Sequence, residues 1–342
     1  MNAGLEIHND FALREYNTFG IECTASRFVA LRSGADYADL LRSGLLRESP
    51  FFILGGGSNV VLPDTYDGVI VHPANKGIRL LECVDGRCLV EAEAGEKWAD
   101  FVDYCIAQGW YGLENLAAIP GCVGAAPVQN VGAYGKEAKD VVCRVHCFDI
   151  EKGTECWIDA ADCGFGYRWS RFKGEWKDRY LIDRVVFSLS SEFHPDVTYK
   201  ALAVALDERG IANPTARQLA DTVAALRDSK LPNPSTIGSA GSFFKNPIVT
   251  DSVYEDLKTA NPDIVAFPVD DGHYKLAAGW LIEHCGWKGR SLGRAGVYEK
   301  QALVLVNRGG CSGDDVRRLA NAVVADVEAR FGVHLECEAI FV

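Results

Sequence analysis

The chain has 342 residues, of which 48% are hydrophobic and 24% charged, and this length predicts two or three domains of an ordinary globular protein. Its 35 basic and 47 acidic residues give a net charge of -12, which argues against non-specific binding of nucleic acid or anionic membranes. An anionic small substrate would therefore need a locally basic pocket. The amino end has no apolar run typical of a secretory signal, and no stretch reaches the length of a membrane span, so we expect a cytoplasmic location.

The twelve cysteines are scattered from Cys23 to Cys337 without a CxxC pair, and the seven histidines form no ligand cluster with them. This pattern predicts free thiols in a reducing compartment, rather than disulfides or a metal site. No heptad pattern or long apolar surface is readable, so we expect a monomer without nucleic-acid or membrane partners.

In chain order, the first periodic segment is ADYADLLRSGLL, which predicts a helix, and PFFILGGGSNVVLP then predicts a strand, a glycine loop and a second strand. A helix is expected from Lys97 to a stop at Gly109. Its apolar residues at helical spacing are Trp98, Phe101, Val102, Cys105 and Ile106.

Further along, VVCRVHCFDI and YLIDRVVFSLS predict strands, and an amphipathic helix from Ala216 closes at DSKLPNP. The last third of the chain alternates between predicted helices and strands. DSVYEDLKTANP predicts a helix with an aspartate cap, KLAAGWLIEHCG predicts a second helix, and QALVLVN predicts a buried strand. A final helix is expected from an N-cap at Ser312 to Gly332, followed by a terminal strand in HLECEAIFV. This mixed order indicates an α+β fold.

The loop GGGSN, Gly55 to Asn59, follows an apolar strand and could expose consecutive backbone N–H groups to phosphate oxygens. It lacks the third glycine and following helix of a Rossmann fingerprint, and it lacks the Gly-Lys-Ser/Thr of a P-loop. A plain hairpin explains this piece equally well.

A second glycine-rich passage, PGCVGAAPVQNVGAYG, is too long for a turn and too apolar for a solvated loop. Backbone lying against a large flat ligand explains it, with Gln129 and Asn130 able to offer hydrogen bonds to a polar ring edge.

With these pieces in order, the chain resembles the UDP-N-acetylenolpyruvoylglucosamine reductase (UDP-N-acetylmuramate dehydrogenase) family. The matching motifs cover nearly the whole chain and are NTFG, ILGGGSNV, GLENLAAIPGCVG, VQNVGAYG, FGYRWSRFK, SKLPNP, AGSFFKNP, KLAAGWLIE, QALVLVN and LECE. Each is modest alone, but together in the family's order they are specific. VTYKAL around Tyr199 is similar to the subclass with an extra tyrosine-bearing loop over the substrate.

The resemblance implies a two-subdomain FAD-binding fold of the vanillyl-alcohol-oxidase type plus an α+β substrate-binding domain. We place the FAD subdomains at 1–77 and 78–213 and the substrate domain at 214–332, with the terminal strand 333–342 returning to the active site. It also implies that NADPH reduces a noncovalent FAD. Hydride then passes from flavin N5 to the vinyl carbon of UDP-N-acetylglucosamine enolpyruvate, in peptidoglycan (cell wall) precursor synthesis.

By resemblance, Arg168 and Glu338 stabilise the enolate that hydride addition creates, and Ser242 donates the final proton. A guanidinium suits a carboxylate because it binds with two parallel hydrogen bonds, and an acid beside an enolate is useful if it holds a proton. A serine is a weak acid, but a basic carbanion-like carbon held close to it makes the transfer feasible. Taken without the resemblance, SAGSFFKNP is a glycine turn leading into an edge strand.

The remaining site residues also follow from matched positions. The expected cofactor-binding residues are Gly55, Gly56, Gly57, Ser58, Asn59, Gly121, Val123, Gly124, Gln129, Asn130, Gly132, Ala133 and Tyr134. The expected contacts to the substrate diphosphate are Tyr199, Lys230, Asn246 and Gln301, and Tyr167 and Lys275 are expected near substrate or flavin.

The chain departs from the family pattern at Cys337, where proline is usual between the terminal glutamates, and at Trp169, Tyr298 and Ile340. The change at Cys337 bears most on function, because proline would fix the backbone that aims Glu338. Two rival functions are another FAD-dependent oxidoreductase of the same fold and a noncatalytic nucleotide-sugar binding protein. AGSFFKNP and KLPNP argue against the first, and the joint presence of Arg168, Ser242 and Glu338 argues against the second.

Overall fold

The structure is a computed structural model that describes residues 5–270 and 272–342. Its strands, in chain order, are β1 (Ile7–Ala12), β2 (Thr24–Leu31), β3 (Phe51–Ile53), β4 (Val60–Val61), β5 (Thr65–Pro73), β6 (Ile78–Val84), β7 (Arg87–Glu93), β8 (Gly132–Ala133), β9 (Lys136–Glu137), β10 (Val142–Asp149), β11 (Thr154–Asp159), β12 (Tyr180–Ser190), β13 (Ser239–Ser242), β14 (Ile248–Thr250), β15 (Ala266–Asp270), β16 (His273–Leu276), β17 (Ser291–Leu292), β18 (Ala295–Val297), β19 (Val304–Asn307) and β20 (Ile340–Phe341). Its helices are α1 (Gly34–Ser43), α2 (Leu45–Glu48), α3 (Trp98–Gln108), α4 (Lys200–Glu208), α5 (Ala216–Lys230), α6 (Asp251–Ala260), α7 (Ala278–His284) and α8 (Gly313–Phe331).

The described chain divides into two compact units, and the first comprises residues 5–11, 25–56 and 66–228. It contains a four-stranded sheet of order β1-β2-β5-β3, a five-stranded antiparallel sheet of order β11-β10-β12-β7-β6, and the short β8–β9 hairpin. Its largest apolar cluster joins α3, α5 and the central strands, through residues such as Trp98, Phe101, Val185, Leu219 and Val223. Helices and strands thus share one core, as an α+β fold requires.

Two helices of the first unit agree with their sequence signals. α3 ends where predicted, at Gly109, whose φ of +76° is a left-handed cap that glycine adopts without steric cost. The apolar face of α5, from Ala216 to Val223, lies in the core of this unit. The unit boundary follows Asp228, whereas our three-part division, with a boundary near 214, stays a prediction.

The second unit comprises residues 12–24, 57–65 and 229–342. Its sheets have the orders β13-β19-β18-β17 and β14-β16-β15, and β20 pairs in parallel with β4. α8 packs its apolar stripe, which includes Val316, Leu319 and Val323, into a core with Phe243 and Phe244. The predicted cap is confirmed, because the Ser312 hydroxyl accepts the Asp315 N–H at 3.2 Å.

Five predicted elements differ from the structure. ADYADLLRSGLL is divided at Gly44, whose φ is +73°, into α1 and α2, and in QALVLVN only Val304–Asn307 is strand. The terminal strand is confined to β20, since residues 333–339 pair with the rest of the unit only through one isolated bridge, Phe244 to Cys337. The cap of α6 is Thr250, and Asp251 is its first helical residue. Lys275 and Leu276 belong to β16 rather than to α7, because sheet pairing with Ile248 and Phe267 overrides the helical pattern.

The expectation that all cysteines are free is wrong for one pair. Cys83 and Cys88 form a disulfide. They lie directly opposite each other on β6 and β7, because the turn at Asp85 and Gly86, with φ of +50° and +80°, closes a tight hairpin between them. Ten cysteines are free. Across residues 5–270 and 272–342, no helix combines the length and apolarity needed to cross a membrane.

Candidate active site

The two glycine-rich passages meet in the first unit. Gly55 and Gly56 follow β3, and Gly56 is exposed. A Cβ built at Gly56 would lie 2.7 Å from the Cα of Gly121, and one built at Gly55 would lie 2.7 Å from the Cys122 sulfur. A side chain at either position would separate the passages. The glycines therefore allow two backbones to come together at a partly exposed position.

Gly57, Ser58 and Asn59 belong to the second unit. A Cβ built at Gly57 would lie 1.9 Å from the carbonyl oxygen of Tyr16, and the Gly57 carbonyl accepts the N–H of Thr18 at 3.0 Å. Gly57 is therefore required by close packing against the NTFG motif. The Asn59 side chain donates to the carbonyl of Glu338 at 3.2 Å, which links this loop to the end of the chain.

Residues Val123 and Gly124 use their amides within the protein. Their N–H groups donate to the carbonyls of Glu96 and Ala94, both at 2.9 Å. A Cβ built at Gly124 would lie 2.6 Å from the Ala94 Cβ. These two residues therefore shape the loop, and their amides are already engaged.

Asn130 is fully buried with a φ of +47°. Its amide nitrogen donates to Glu137 Oε2 at 2.9 Å and to the Gly166 carbonyl at 3.0 Å, and its oxygen accepts the Lys139 N–H at 2.9 Å. Both amide protons are used, so the suggestion that this side chain donates to a flavin ring edge is not supported by the geometry. Binding of the cofactor by Asn130 stays a prediction, and it would have to use the main-chain atoms of this residue. Gln129, the preceding residue, is half-buried.

Arg168 is held against the β8–β9 hairpin. Its Nη2 donates to the Gly132 carbonyl at 2.8 Å, and its guanidinium lies 5.3 Å from the centre of the Tyr167 ring. Its φ of +54° is unusual for a residue with a side chain. The hairpin and the arginine therefore form one arrangement, since a Cβ at Gly132 would lie 3.1 Å from Arg168 Nη1.

Tyr199 precedes α4 and is 46% exposed. Its ring lies 5.4 Å from the ring of Tyr134, in an edge-to-face contact. Tyr134 continues the hairpin residues Gly132 and Ala133. The first unit therefore brings together Arg168, Tyr167, Tyr134 and Tyr199 around one hairpin.

In the second unit, Ser242 ends β13 and is exposed. The pairing with β19 is irregular between Ser239 and Ser242, and Gly241 between them has a φ of +67°. The next residue, Phe243, is buried and its N–H donates to the Leu303 carbonyl at 2.7 Å. The serine therefore projects from a strand that is anchored immediately after it.

Glu338 lies beside this strand. Its N–H donates to the Phe243 carbonyl at 2.8 Å and its carbonyl accepts from Asn59. Phe244 pairs with Cys337, with the Lys245 N–H donating to the Glu336 carbonyl on the other side. These two bonds flank the Phe244–Cys337 pair, and neither uses the N–H of Cys337. Hydrogen bonds therefore fix the backbone of Glu338 without a proline at position 337.

Two predicted substrate residues lie against the start of α7. Asn246 Oδ1 accepts the Ala278 N–H at 3.0 Å, and Gln301 Oε1 would lie 3.1 Å from a Cβ built at Gly279. Lys275 lies on β16, just before this helix. Lys230 is the exposed last residue of α5. Separately, a polar groove of about 600 Å³ in the second unit is lined by none of the predicted site residues.

Comparison with known proteins finds the same family that the sequence motifs indicate, with matches that together cover nearly the whole chain. The C-terminal domain of UDP-N-acetylenolpyruvoylglucosamine reductase matches residues 233–342, and an FAD binding domain matches residues 25–159. The UDP-N-acetylenolpyruvoylglucosamine reductase of Neisseria meningitidis serogroup A is 48% identical over 95% of this chain and 94% of its own length. That of Azoarcus sp. is 48% identical over 99% and 98%. The chain belongs to the UDP-N-acetylenolpyruvoylglucosamine reductase family.

A solved UDP-N-acetylenolpyruvylglucosamine reductase from Thermus caldophilus shares the fold. Its TM-score is 0.66 at 23% identity, over 98% of both chains. The α+β class expected from the resemblance is therefore confirmed.

The residues of the first unit fit the FAD that this reductase family uses. Both glycine-rich passages lie within residues 25–159, and Gly56 and Gly121 bring their backbones together with no side chain between them. Val123 and Ala126, in the second passage, are apolar and fully buried. Backbone without side chains beside apolar surface suits a flat ring system joined to a diphosphate.

Sequence reasoning missed four residues that support this reductase site. Asn115 donates to the carbonyls of Tyr134 and Asp196, and Lys136 pairs with Asp196 at 3.1 Å. Burial raises the pKa of Tyr134, and the nearby Arg227 counteracts that rise. Asn115 lies inside the family motif GLENLAAIPGCVG, and Arg227 lies two residues before the motif SKLPNP. The position of each residue in or beside a family motif could therefore have indicated it.

Proposed function

We propose that this protein reduces UDP-N-acetylglucosamine enolpyruvate to UDP-N-acetylmuramate, with NADPH as the reductant. The observation that carries the proposal is 48% identity to a UDP-N-acetylenolpyruvoylglucosamine reductase over 95% of the chain. The product is a precursor of bacterial peptidoglycan. When bound, FAD would supply the hydride-transfer chemistry that links NADPH to the vinyl carbon of the substrate.

Arg168 meets the negative charge that develops on the substrate carboxylate. Its guanidinium is held by the Gly132 carbonyl at 2.8 Å and by the Tyr167 ring, so it does not have to reorganise during the reaction. Preorganised positive charge of this kind stabilises a developing enolate. A guanidinium suits this carboxylate because it can bind it with two parallel hydrogen bonds.

Ser242 donates the proton that completes the product, and Glu338 holds a hydrogen bond to the enolate. In support, Ser242 is exposed at the end of β13. The N–H of Glu338 donates to the carbonyl of Phe243, which is the residue after Ser242. Anchoring of both residues to the same strand favours proximity, and proximity offsets much of the weak acidity of a serine.

The substrate diphosphate is held by Tyr199, Lys230, Asn246 and Gln301, with Tyr167 and Lys275 nearby. In support, Asn246 and Gln301 both lie against the start of α7, and Lys275 lies on β16, just before that helix. A cation, amides and a phenol supply the local donors that a chain with a net charge of -12 needs for an anionic substrate.

We also propose that the protein acts as a cytoplasmic monomer with three functional parts, at 1–77, 78–213 and 214–332, and that residues 333–342 supply Glu338 to the reaction. Light scattering on the holoenzyme checks the oligomeric state. A stable dimer would contradict that part of the proposal without touching the chemistry.

The test is an anaerobic visible spectrum of the purified protein, recorded as NADPH and then UDP-N-acetylglucosamine enolpyruvate are added. We expect the flavin band to bleach with the first addition and return with the second. Bleaching without return would show that the substrate is wrong. Absence of a band even after FAD is supplied would overturn the proposed function altogether.

A further inference from the structure

The segment that carries Tyr199 has no regular structure. Residues 191–199 connect the end of β12 at Ser190 to the start of α4 at Lys200. Leu202 and Leu206 bury α4 in the core, and the preceding strand is part of the five-stranded sheet. Both ends of the segment are therefore fixed, and its middle depends on side-chain contacts.

Asn115 supplies the first of these contacts. It is 3% exposed, and its side-chain nitrogen donates to the Tyr134 carbonyl at 2.8 Å and to the Asp196 carbonyl at 3.0 Å. Both amide protons are thus spent on joining the hairpin to the segment. A buried amide that bridges two loops fixes their separation.

Asp196 supplies the second contact. One carboxylate oxygen accepts the N–H and hydroxyl of Thr198, at 3.1 and 2.7 Å, which forms a tight turn immediately before Tyr199. The other oxygen lies 3.1 Å from Lys136 Nζ, on β9 of the hairpin. Burial raises the pKa of Asp196, but the bonds from Thr198 and Lys136 outweigh burial and lower it, so the carboxylate is held charged.

We propose that Asn115 and the Lys136–Asp196 ion pair are positioning residues that set the place of Tyr199 over the hairpin. They act through the turn at Thr198 and through the edge-to-face contact between Tyr134 and Tyr199. The inference rests on the proposed function, in which Tyr199 contacts the substrate diphosphate. It predicts that loss of the ion pair weakens use of the nucleotide sugar and leaves NADPH oxidation intact.

The test measures the two half-reactions of the holoenzyme separately for Lys136→Met, Asp196→Asn and the double variant. The Asp196→Asn side chain keeps one oxygen to accept the Thr198 bonds, and it loses both the charge and the oxygen that faces Lys136. Each single variant should raise the substrate concentration for half-maximal flavin reoxidation about fivefold, the upper range for a partly exposed pair. The double variant should add little more, since the partners act together. Flavin reduction by NADPH should change less than about twofold, and Lys136→Arg should restore wild-type behaviour.

Two reference variants, Lys139→Met and Tyr199→Ala, are measured beside the ion-pair variants. Lys139→Met removes a neighbouring lysine that pairs with Glu137 and should change neither half-reaction. Tyr199→Ala sets the size of the full effect. If Tyr199→Ala impairs reoxidation but the ion-pair variants do not, or if they slow both half-reactions equally, the inference is overturned and the proposed function stands. If Tyr199→Ala has no effect, the inference and the diphosphate role of Tyr199 both fail, while the return of the flavin band reports on the reaction itself.

Discussion

At the scale of single residues, the backbone around Ser242 shows how one segment can form a turn and also present a serine for chemistry. Gly241 has a φ of +67°, and a Cβ built on it meets no atom within 4 Å. The glycine is thus required by conformation and not by crowding. It turns the exposed serine out of a strand whose next residue is buried. SAGSFFKNP is consequently both a glycine turn and a strand that presents a hydroxyl group.

Ser242→Ala should separate the two half-reactions. Flavin reduction by NADPH should stay within about twofold of wild type, while reoxidation by the nucleotide sugar should slow by about 10² to 10⁴, the range for loss of a general acid. Stopped-flow absorbance measures both rates. The exposed Ser235→Ala is the matched control. Equal slowing of both half-reactions would rule out a proton-donor role.

Cys337→Pro tests whether the family's proline is needed here. The bonds from Lys245 and Glu338 flank the Phe244–Cys337 pair, so proline removes no bond of that pairing. We expect the free energy of unfolding to change by less than about 1 kcal/mol and turnover to be retained. Urea unfolding and steady-state assays measure this. A loss above that size would mean that the local backbone depends on the Cys337 N–H.

At the scale of elements, the β10–β11 hairpin is closed by a charged group. Asp149 is 2% exposed, and its carboxylate accepts from the Glu151 and Lys152 amides and from Arg179 at 2.9 Å. Burial raises the pKa of Asp149, but these hydrogen bonds outweigh burial and hold it below its ordinary value. The turn and the arginine thus both favour the charged form.

Asp149→Asn should therefore destabilise the protein in a pH-dependent way. A lowered pKa in the folded state contributes stability above the unfolded value of 3.8, and this contribution is lost as the pH falls through the folded pKa. At pH 6 the substitution should lower the free energy of unfolding by about 2 kcal/mol, and the difference should shrink at pH 3. Urea unfolding at both pH values measures it. A difference that is constant with pH would exclude the charge as its cause, and the exposed Asp162→Asn is the control.

At the scale of the whole molecule, the residues that we predict to bind FAD come from distant parts of the chain. Gly56 and Gly121 are far apart in sequence, yet a Cβ on one would lie 2.7 Å from the other. A ligand that binds such a folded arrangement but not the unfolded chain stabilises the fold. FAD at a hundred times its Kd should raise the free energy of unfolding by about 2.7 kcal/mol.

Thermal unfolding of the FAD-free protein, with and without added FAD, measures this stabilisation. Gly56→Val should reduce this stabilisation, because the new side chain would push the passage of Gly121 away. Riboflavin, which lacks the adenosine diphosphate part, is the matched control ligand and should stabilise less. An unchanged midpoint with saturating FAD would contradict the assignment of these loops.

The sequence by itself determined the α+β class, the family, and the helices with local signals, such as α3 with its glycine stop and α8 with its serine cap. These depend on periodicity and capping within a few residues, which a single chain displays directly. The tertiary structure alone decided that Asn130 spends its amide inside the protein, that Cys83 and Cys88 lie opposite each other, and that residues 333–339 are not strand. It also revealed Asn115 and the Lys136–Asp196 pair. Each of these depends on which distant backbone or strand is the neighbour, and that is set by packing across the fold rather than by local pattern.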